Sequence, residues 1–413
     1  MISYSKSKAI LKKSKIKLGD EFINTDTCLN RVTSKNIYVN SFYPSGNNAA
    51  FDGYAVKSSD TSKLNKKKFV RFKIIGTIAA GKKPIEKKTK KFETVEIMTG
   101  ALIPKSFDTI IPIEQIVFYP NKKNAKFILI NEKIPKFNHV RFKGSDYKKG
   151  DMLISQGTIL QSNHILALKT LGINKIKVKK KPNILFFSTG NEITNKDKIR
   201  DWEVRNSNSH YIHSLNQNFL FNFKDGGILR DNQSNLLKFH INKMLKSKID
   251  LIITSGAVSA GKYDFVPSIV NNFKLSSYFK GVAIRPGKPI LFAKIKGNSK
   301  AIFGLPGNPI SSSACFRFFV YPYLRSLLGI SDENSFKAKL KNQFLKKKNF
   351  TRFVKSKLST TKDGKLEVVI LKGQESFRIK SFIQSNIWVM LPSGKSQFKK
   401  GELVDCFFPN RSN

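Results

Sequence analysis

The 413-residue sequence predicts a multidomain α/β plus β protein, with a central doubly wound α/β domain, a β-rich domain inserted ahead of it and a small C-terminal β barrel. Three observations predict this. Glycine turns follow short runs of apolar β-formers in PNILFFSTGNE (182–192), DLIITSGAVSAGKYDF (250–265) and AIFGLPGNPISSS (301–313). Between 182 and 330 strand-like and helix-like segments alternate, the order of a sheet with helices on both faces. On either side, 41–140 and 335–413 read as short β runs broken by Lys, Asn, Gly and Pro turns.

Residues 1–40 read as a basic amphipathic helix and a connector. The β-rich segment carries VRFKIIGTI, ETVEIMTG, DTIIPIEQIVFY and AKFILINEKI. Near 141 come KGSDYKKGDMLISQGTIL, a helix-like HILALKTLG and a strand-like INKIKVK, which return the chain to the domain of its N-terminus. The domains expected are therefore 1–40 with 141–180, 41–140, 181–330 and 331–413. In the α/β stretch, strand ILFFS leads to a helix over 207–222, with Ser207 or Asn208 as N-cap and Ile212, Leu215 and Phe219 on one face. GGILRD, a second helix (Leu237, Ile241, Met244, Leu245), DLIITS, FKGVAI, ILFAKI and AIFGL follow. Asn308 then caps a helix that has Pro309 at its first position and runs through Phe316 and Phe319 toward Pro322. The tail strands are FVKSKL, LEVVIL, NIWVML and LVDCFF.

A net charge of +47 invites a nucleic-acid reading. The excess is nearly all lysine, spread along the whole chain and accompanied by Asn, Ile and Phe, as A/T-rich codon usage would produce. No nucleic-acid partner is expected, although a basic surface attracts anionic ligands generally. Cys28, Cys315 and Cys406 are far apart and lack metal spacing, which suggests reduced thiols. No stretch approaches the roughly 18–20 apolar residues of a membrane span. The protein is expected to be soluble and cytoplasmic, with no membrane partner.

Ligands of open parallel sheets bind outside the carboxyl ends of the strands. Glycine there lets backbone N–H groups approach a phosphate, and a following helix adds its positive end. The candidates are Ser188, Thr189 and Gly190 in the first turn, Ser255, Gly256 and Ser259 in the second, and Pro306, Gly307, Asn308 and Pro309 in the third. Glu192, Asp231 and Asp264 stand beside these turns. Carboxylates beside phosphate cradles suggest Mg²⁺, which takes one or two carboxylates together with ligand phosphates; Glu192 and Asp264 are the candidate metal ligands. Helix N-caps and first-turn acids are the alternative. Arg285 and Lys288 flank a Pro-Gly turn suited to an oxyanion. Outside this unit stand Asp52 in FDGYAV, Thr99 in IMTGALIP and Asp146 in KGSDYKKGD, each of which reads equally as a turn residue.

These segments, with DTIIPIEQ, STGNE, SGAVSAGKYDF, AIRPGKP and FGLPGNPISS, resemble in order and spacing the molybdopterin molybdenumtransferase family, which includes the C-terminal domain of gephyrin. The resemblance runs over about residues 10–410. It implies that the α/β domain binds molybdopterin. The reaction implied is insertion of molybdate into adenylylated molybdopterin, with AMP release and a divalent metal. It also implies an elongated four-domain homodimer, which could take its substrate from the molybdopterin adenylyltransferase. The family's functional positions fall on Asp52, Thr99, Asp146, Glu192, Asp231, Asp264, Lys280, Arg285, Lys288, Pro306 and Pro309, with Arg352 and Ser376 in the tail. Phe51 replaces the usual Met, Ala257 the second Gly of SGGVS, Leu102 a common Pro and Glu375 a Gly. Ala257 would be strained if its position needs φ > 0. The alternatives are the adenylyltransferase of the preceding step, which has no use for the inserted domain, and a non-catalytic scaffold that retains the fold.

Overall fold

In the computed structural model, which describes residues 1–84, 88–215, 220–259, 261 and 264–409, the chain divides into two compact units. One comprises Met1–Lys35, Ser155–Leu166 and Asn174–Asn413; the other comprises Asn36–Ile154 and Ala167–Ile173.

The first unit holds a six-stranded sheet made of β1 (Asn183–Thr189), β2 (Asn222–Leu229), β3 (Leu251–Ser255), β4 (Leu275–Lys280), β5 (Leu291–Ile295) and β6 (Ala301–Leu305). Their order is β2-β1-β3-β6-β5-β4. The first four in that order are parallel, β5 is antiparallel to β6, and β4 is antiparallel to β5. Alternation along each strand sends residues to two cores. Ile184, Phe186, Leu251 and Ile253 join Ile212 of helix α1 (Ser207–Leu215) and the aromatic residues of the last helix. Leu185, Phe187 and Ile252 instead meet Leu237, Ile241 and Met244 of α2 (Ser234–Leu245) and Val266, Ile269 and Val270 of α3 (Val266–Asn271). Helices thus cover both faces.

The helix expected over 207–222 is shorter. Asn222 opens β2, because its side pairs it with Asn183 in the parallel ladder, and Phe219 lies outside the described residues. Nor is Ser207 or Asn208 the cap, since Ser207 is already helical. Helix α4, the last of the α/β stretch, starts at Pro309 as expected and runs on past Pro322. It passes through a π turn (Phe316–Val320) and continues to Leu328, where Gly329 closes it at φ +77°. The wide turn just before Pro322 absorbs a residue that would otherwise break the α-helical ladder.

Five tail strands close on themselves: β7 (Phe336–Leu340), β8 (Thr351–Thr360), β9 (Leu366–Ile370), β10 (Ile387–Leu391) and β11 (Leu403–Phe407). Pairing runs β8-β9-β7-β11-β10 and back to β8, a small barrel without open edges. The short strand Ile284–Arg285 adds to β8 in parallel, with Arg285 opposite Arg352. The helix Tyr4–Lys13 at the chain start belongs to this unit.

The second unit is built on a mostly antiparallel sheet of six strands drawn from residues 53–132. Asp52 stands just before its strand Gly53–Val56, and Thr99 two residues past Glu93–Ile97. These strands are antiparallel neighbours with Gly53 opposite Ile97, so the two turns emerge side by side.

All three cysteines are buried. Among the described residues no helix is long and apolar enough to cross a membrane.

Candidate functional site

The three glycine turns meet at the carboxyl edge of the sheet. Ser188 is in register with Ser255, and Ser255 with Leu305. The turns are then stitched together. The Thr189 hydroxyl donates to the Ser255 carbonyl (3.1 Å), the Gly256 N–H to Leu305 (2.9 Å) and the Ser255 hydroxyl to Pro306 (3.2 Å). Glycine is needed at 256, where φ is +107° and a Cβ would come within 2.5 Å of the Thr189 carbonyl and hydroxyl oxygens. Next to it Ala257 sits at φ +53°, so the strain expected of a missing glycine is present.

Three side chains that sequence reasoning missed hold this edge together. Asn208, read as a cap, instead donates from the first turn of α1 to the Ser255 hydroxyl (2.6 Å) and the Gly307 carbonyl (2.8 Å). Asn206 accepts from the Ser188 hydroxyl at 2.5 Å. Arg230 donates to the carbonyls of Gly190, Asn191 and Ile193 and so clamps the STGNE turn. The only local signal was polar residues at strand and helix ends. At the third turn Asn308 is the N-cap residue of α4, but its side chain makes no capping bond and its buried Oδ1 has no donor. Among the described residues the first N–H groups of α4 thus have no side-chain cap.

None of the three acids is a helix cap. Glu192 leads into a short strand, its exposed carboxylate lying over Gly190. Asp264 precedes Phe265, the N-cap of α3, and accepts the Gly261 N–H at 2.6 Å. Asp231 receives no helix N–H; its own N–H donates to Asn191 Oδ1 (3.1 Å). Among the described residues no group of three or more Asp, Glu, His or Cys side chains stands where a metal would be held by protein alone. Ser259 is exposed on the second turn, and Lys262 and Tyr263 lie outside the described residues.

The cationic part of the edge lies beside the barrel. Lys280 ends β4, and Arg285 and Lys288 are exposed on the turn that follows. Burial, then the Arg285 charge opposite it, lowers the pKa of the Arg352 guanidinium. Among the described residues neither arginine has a carboxylate within ion-pair distance, Glu375 being paired with Arg378, and the two form a positive patch suited to an oxyanion. Ser376 lies on the adjoining loop. That loop is riveted by Lys355, whose buried ammonium donates to the carbonyls of Gly373 (2.8 Å), Glu375 (3.1 Å) and Arg378 (3.1 Å). Burial brings Lys355 down to about 8.

In the second unit Asp52 Oδ1 accepts both the N–H (2.6 Å) and the hydroxyl (2.7 Å) of Thr99. These bonds, the N–H first, hold its carboxyl below the ordinary range although it is exposed. DGYA and MTGA are thus two halves of one device, an ionised carboxylate fixed in solvent. Phe51 packs edge-on against His139 at 4.8 Å beside it. Asp146 is exposed, and its N–H donates to the Tyr43 carbonyl (3.1 Å).

Fold and site together define a chain built around a pterin-phosphate type of α/β domain, and three family models describe nearly all of it. Residues 2–172 match "MoeA N-terminal region (domain I and II)", 186–326 match "Probable molybdopterin binding domain" and 337–407 match "MoeA C-terminal region (domain IV)". The molybdopterin molybdenumtransferase of Staphylococcus epidermidis is 30% identical over 93% of this chain and 90% of its own. That of Staphylococcus aureus is 31% identical over 91% and 88%. The solved molybdopterin biosynthesis MoeA protein from Pyrococcus horikosii superposes with a TM-score of 0.83 at 29% identity, covering 99% of each chain. The chain belongs to the molybdopterin molybdenumtransferase family, transferases of molybdenum cofactor biosynthesis.

Proposed function

We propose that this chain inserts molybdate into adenylylated molybdopterin and releases AMP in a Mg²⁺-dependent reaction. The observation that carries the reading is the carboxyl edge, where three turns converge, α4 starts without a side-chain cap, and Arg285 and Arg352 lie side by side on the adjoining turn and barrel strand. Backbone N–H groups of the second and third turns hold the pterin phosphate, and Arg285, Lys288 and Arg352 hold molybdate and phosphate charge. Lys280 adds positive charge, and Ser376, on its riveted loop, adds a hydroxyl. Water attacks the phosphoanhydride, and AMP leaves while the pterin phosphate stays bound. Asp52, kept ionised by Thr99, orients water or ligand, and Asp146 is assigned to the same reaction by family position alone.

The acids present fit Mg²⁺. Glu192 and Asp264 supply hard carboxylate oxygens over Gly190 and Gly261, a set that phosphates and water would complete. When bound, it offsets phosphate charge developing during hydrolysis. Asp231 stands beside them. We propose further a cytoplasmic homodimer receiving its substrate from the molybdopterin adenylyltransferase, with domains 1–40 plus 141–180, 41–140, 181–330 and 331–413.

The test is AMP release from adenylylated molybdopterin with molybdate and Mg²⁺. Asp52→Asn is expected to fold normally and lose about a hundredfold in turnover. Because its pKa is depressed, its bonds to Thr99 are present above the ordinary carboxylate range and fail only as pH falls through the lower folded value. An acid limb lost in Asp52→Asn should accordingly lie below the ordinary carboxylate range. Replacing Glu192 or Asp264 by Ala should weaken the Mg²⁺ dependence without unfolding the chain. Pyrophosphate release from ATP and molybdopterin would instead support the adenylyltransferase alternative, and inactivity in both assays the scaffold.

A further inference from the structure

The amino edge of the same sheet, opposite the glycine turns, carries a second concave site. A cleft of about 560 Å³ opens where the parallel strands begin, lined by Asn183 and Asn222 at the first residues of β1 and β2 and by Asp250 and Lys300 just ahead of β3 and β6. Six of its thirteen lining residues are cations (Lys17, Arg31, Lys180, Lys181, Lys248 and Lys300) against two acids, Glu21 and Asp250. Only 75 of the 413 residues are Lys or Arg, so the lysine-rich composition alone does not account for this density.

Both acids are already engaged. Glu21 pairs with Arg31, while Asp250 accepts the Asn183 N–H (2.8 Å) and lies 4.0 Å from Lys300. The Lys300 ammonium is held by the carbonyls of Ser247 (2.8 Å) and Ile249. Lys17 and Lys248 have no such partner among the described residues, and the buried Nε of Arg31 has no acceptor. The cations crowd one another, for burial and then the Arg31 charge lower the Lys181 pKa. Like charges gathered in a concave site repel one another, and an anion among them relieves that repulsion. The volume is that of a small-molecule site. Leu18 is the one large apolar side chain of the lining, and no aromatic ring is present on which a nucleobase or pterin could stack.

We infer that the cleft at the amino edge binds a compact, multiply charged oxyanion of the linked-phosphate type, with inorganic pyrophosphate as its simplest form. Lys17, Lys248 and Arg31 supply the charge-assisted hydrogen bonds, and Asn183 and Asn222 the neutral polar groups at its floor. The site shares no residue with the carboxyl edge. It stands whether or not the proposed reaction does.

The experiment is calorimetric titration of the full chain with pyrophosphate, at ionic strength held constant with potassium chloride. The double variant Lys17→Gln/Lys248→Gln is compared with Arg285→Gln/Lys288→Gln at the other edge. The expected result is a saturable event that weakens about tenfold or more in the first variant and persists in the second. Wild-type melting temperatures confirm that both variants are folded. Parallel titrations with orthophosphate and molybdate distinguish a linked phosphate from a single tetrahedral oxyanion, and pyrophosphate should bind more tightly than either. Absence of saturable heat, an event abolished only by the Arg285/Lys288 changes, or equal affinity for all three anions would overturn the inference.

Discussion

The two edges of one sheet are prepared for anions by different means. At the carboxyl edge the backbone does the recognising. Gly256 and Gly307 approach so closely that a Cβ on Gly307 would come within 3.4 Å of the Gly256 Cα. At the amino edge Gly19 faces only the flexible Lys180 side chain, and the character of that edge comes from side-chain charge gathered from separate segments. A backbone site is therefore intolerant of single atoms but indifferent to charge swaps nearby. A side-chain site tolerates reshaping and fails when charge is removed.

The largest expected effect tests the first half of that contrast. Gly256→Ala must force a Cβ against Thr189 at φ +107°, and should cost about 2–4 kcal/mol of stability together with most AMP release. Chemical denaturation and the turnover assay check this, and near-wild-type behaviour would mean that the turns are not packed as described. At the other edge, Lys300→Met leaves Asp250 and the carbonyls of Ser247 and Ile249 without their cation, for a loss of about 2–3 kcal/mol. If turnover falls as steeply as stability, the edges are not independent.

Asn208→Ala removes two hydrogen bonds between turns without touching a glycine, and should cost about 1–2 kcal/mol in a thermal melt. A larger activity loss than Gly256→Ala would show that side chains, not the backbone, govern the carboxyl edge. The smallest effect has the opposite sign. Ala257→Gly relieves a left-handed residue and should stabilise the protein by about 1 kcal/mol, and a destabilised variant would show that Ala257 is not left-handed in solution.

Much of the carboxyl edge was legible because its signals are local. An apolar run followed by glycine and a small polar residue marks a buried strand and its turn within about ten residues of text. Asn208 was legible as an N-terminal helix residue but not as a tie, because its partners Ser255 and Gly307 are remote in sequence. The overlong helix at 207–222 arose from the same limit. GGILRD reads as a strand in the sequence, but that the strand opens as early as Asn222 follows from its pairing with Asn183–Thr189.

By itself, the sequence determined the strand–turn units, the β character of the tail and the family motifs, since each depends on neighbours along the chain. Tertiary structure decided what those units do together. It set Asp52 against Thr99, paired Arg285 with Arg352, placed Lys355 under the loop of Ser376 and gathered six cations at the amino edge. Proximity of that kind follows from strand order and register, and hydrogen bonds and charges act over ångströms in space regardless of separation along the chain.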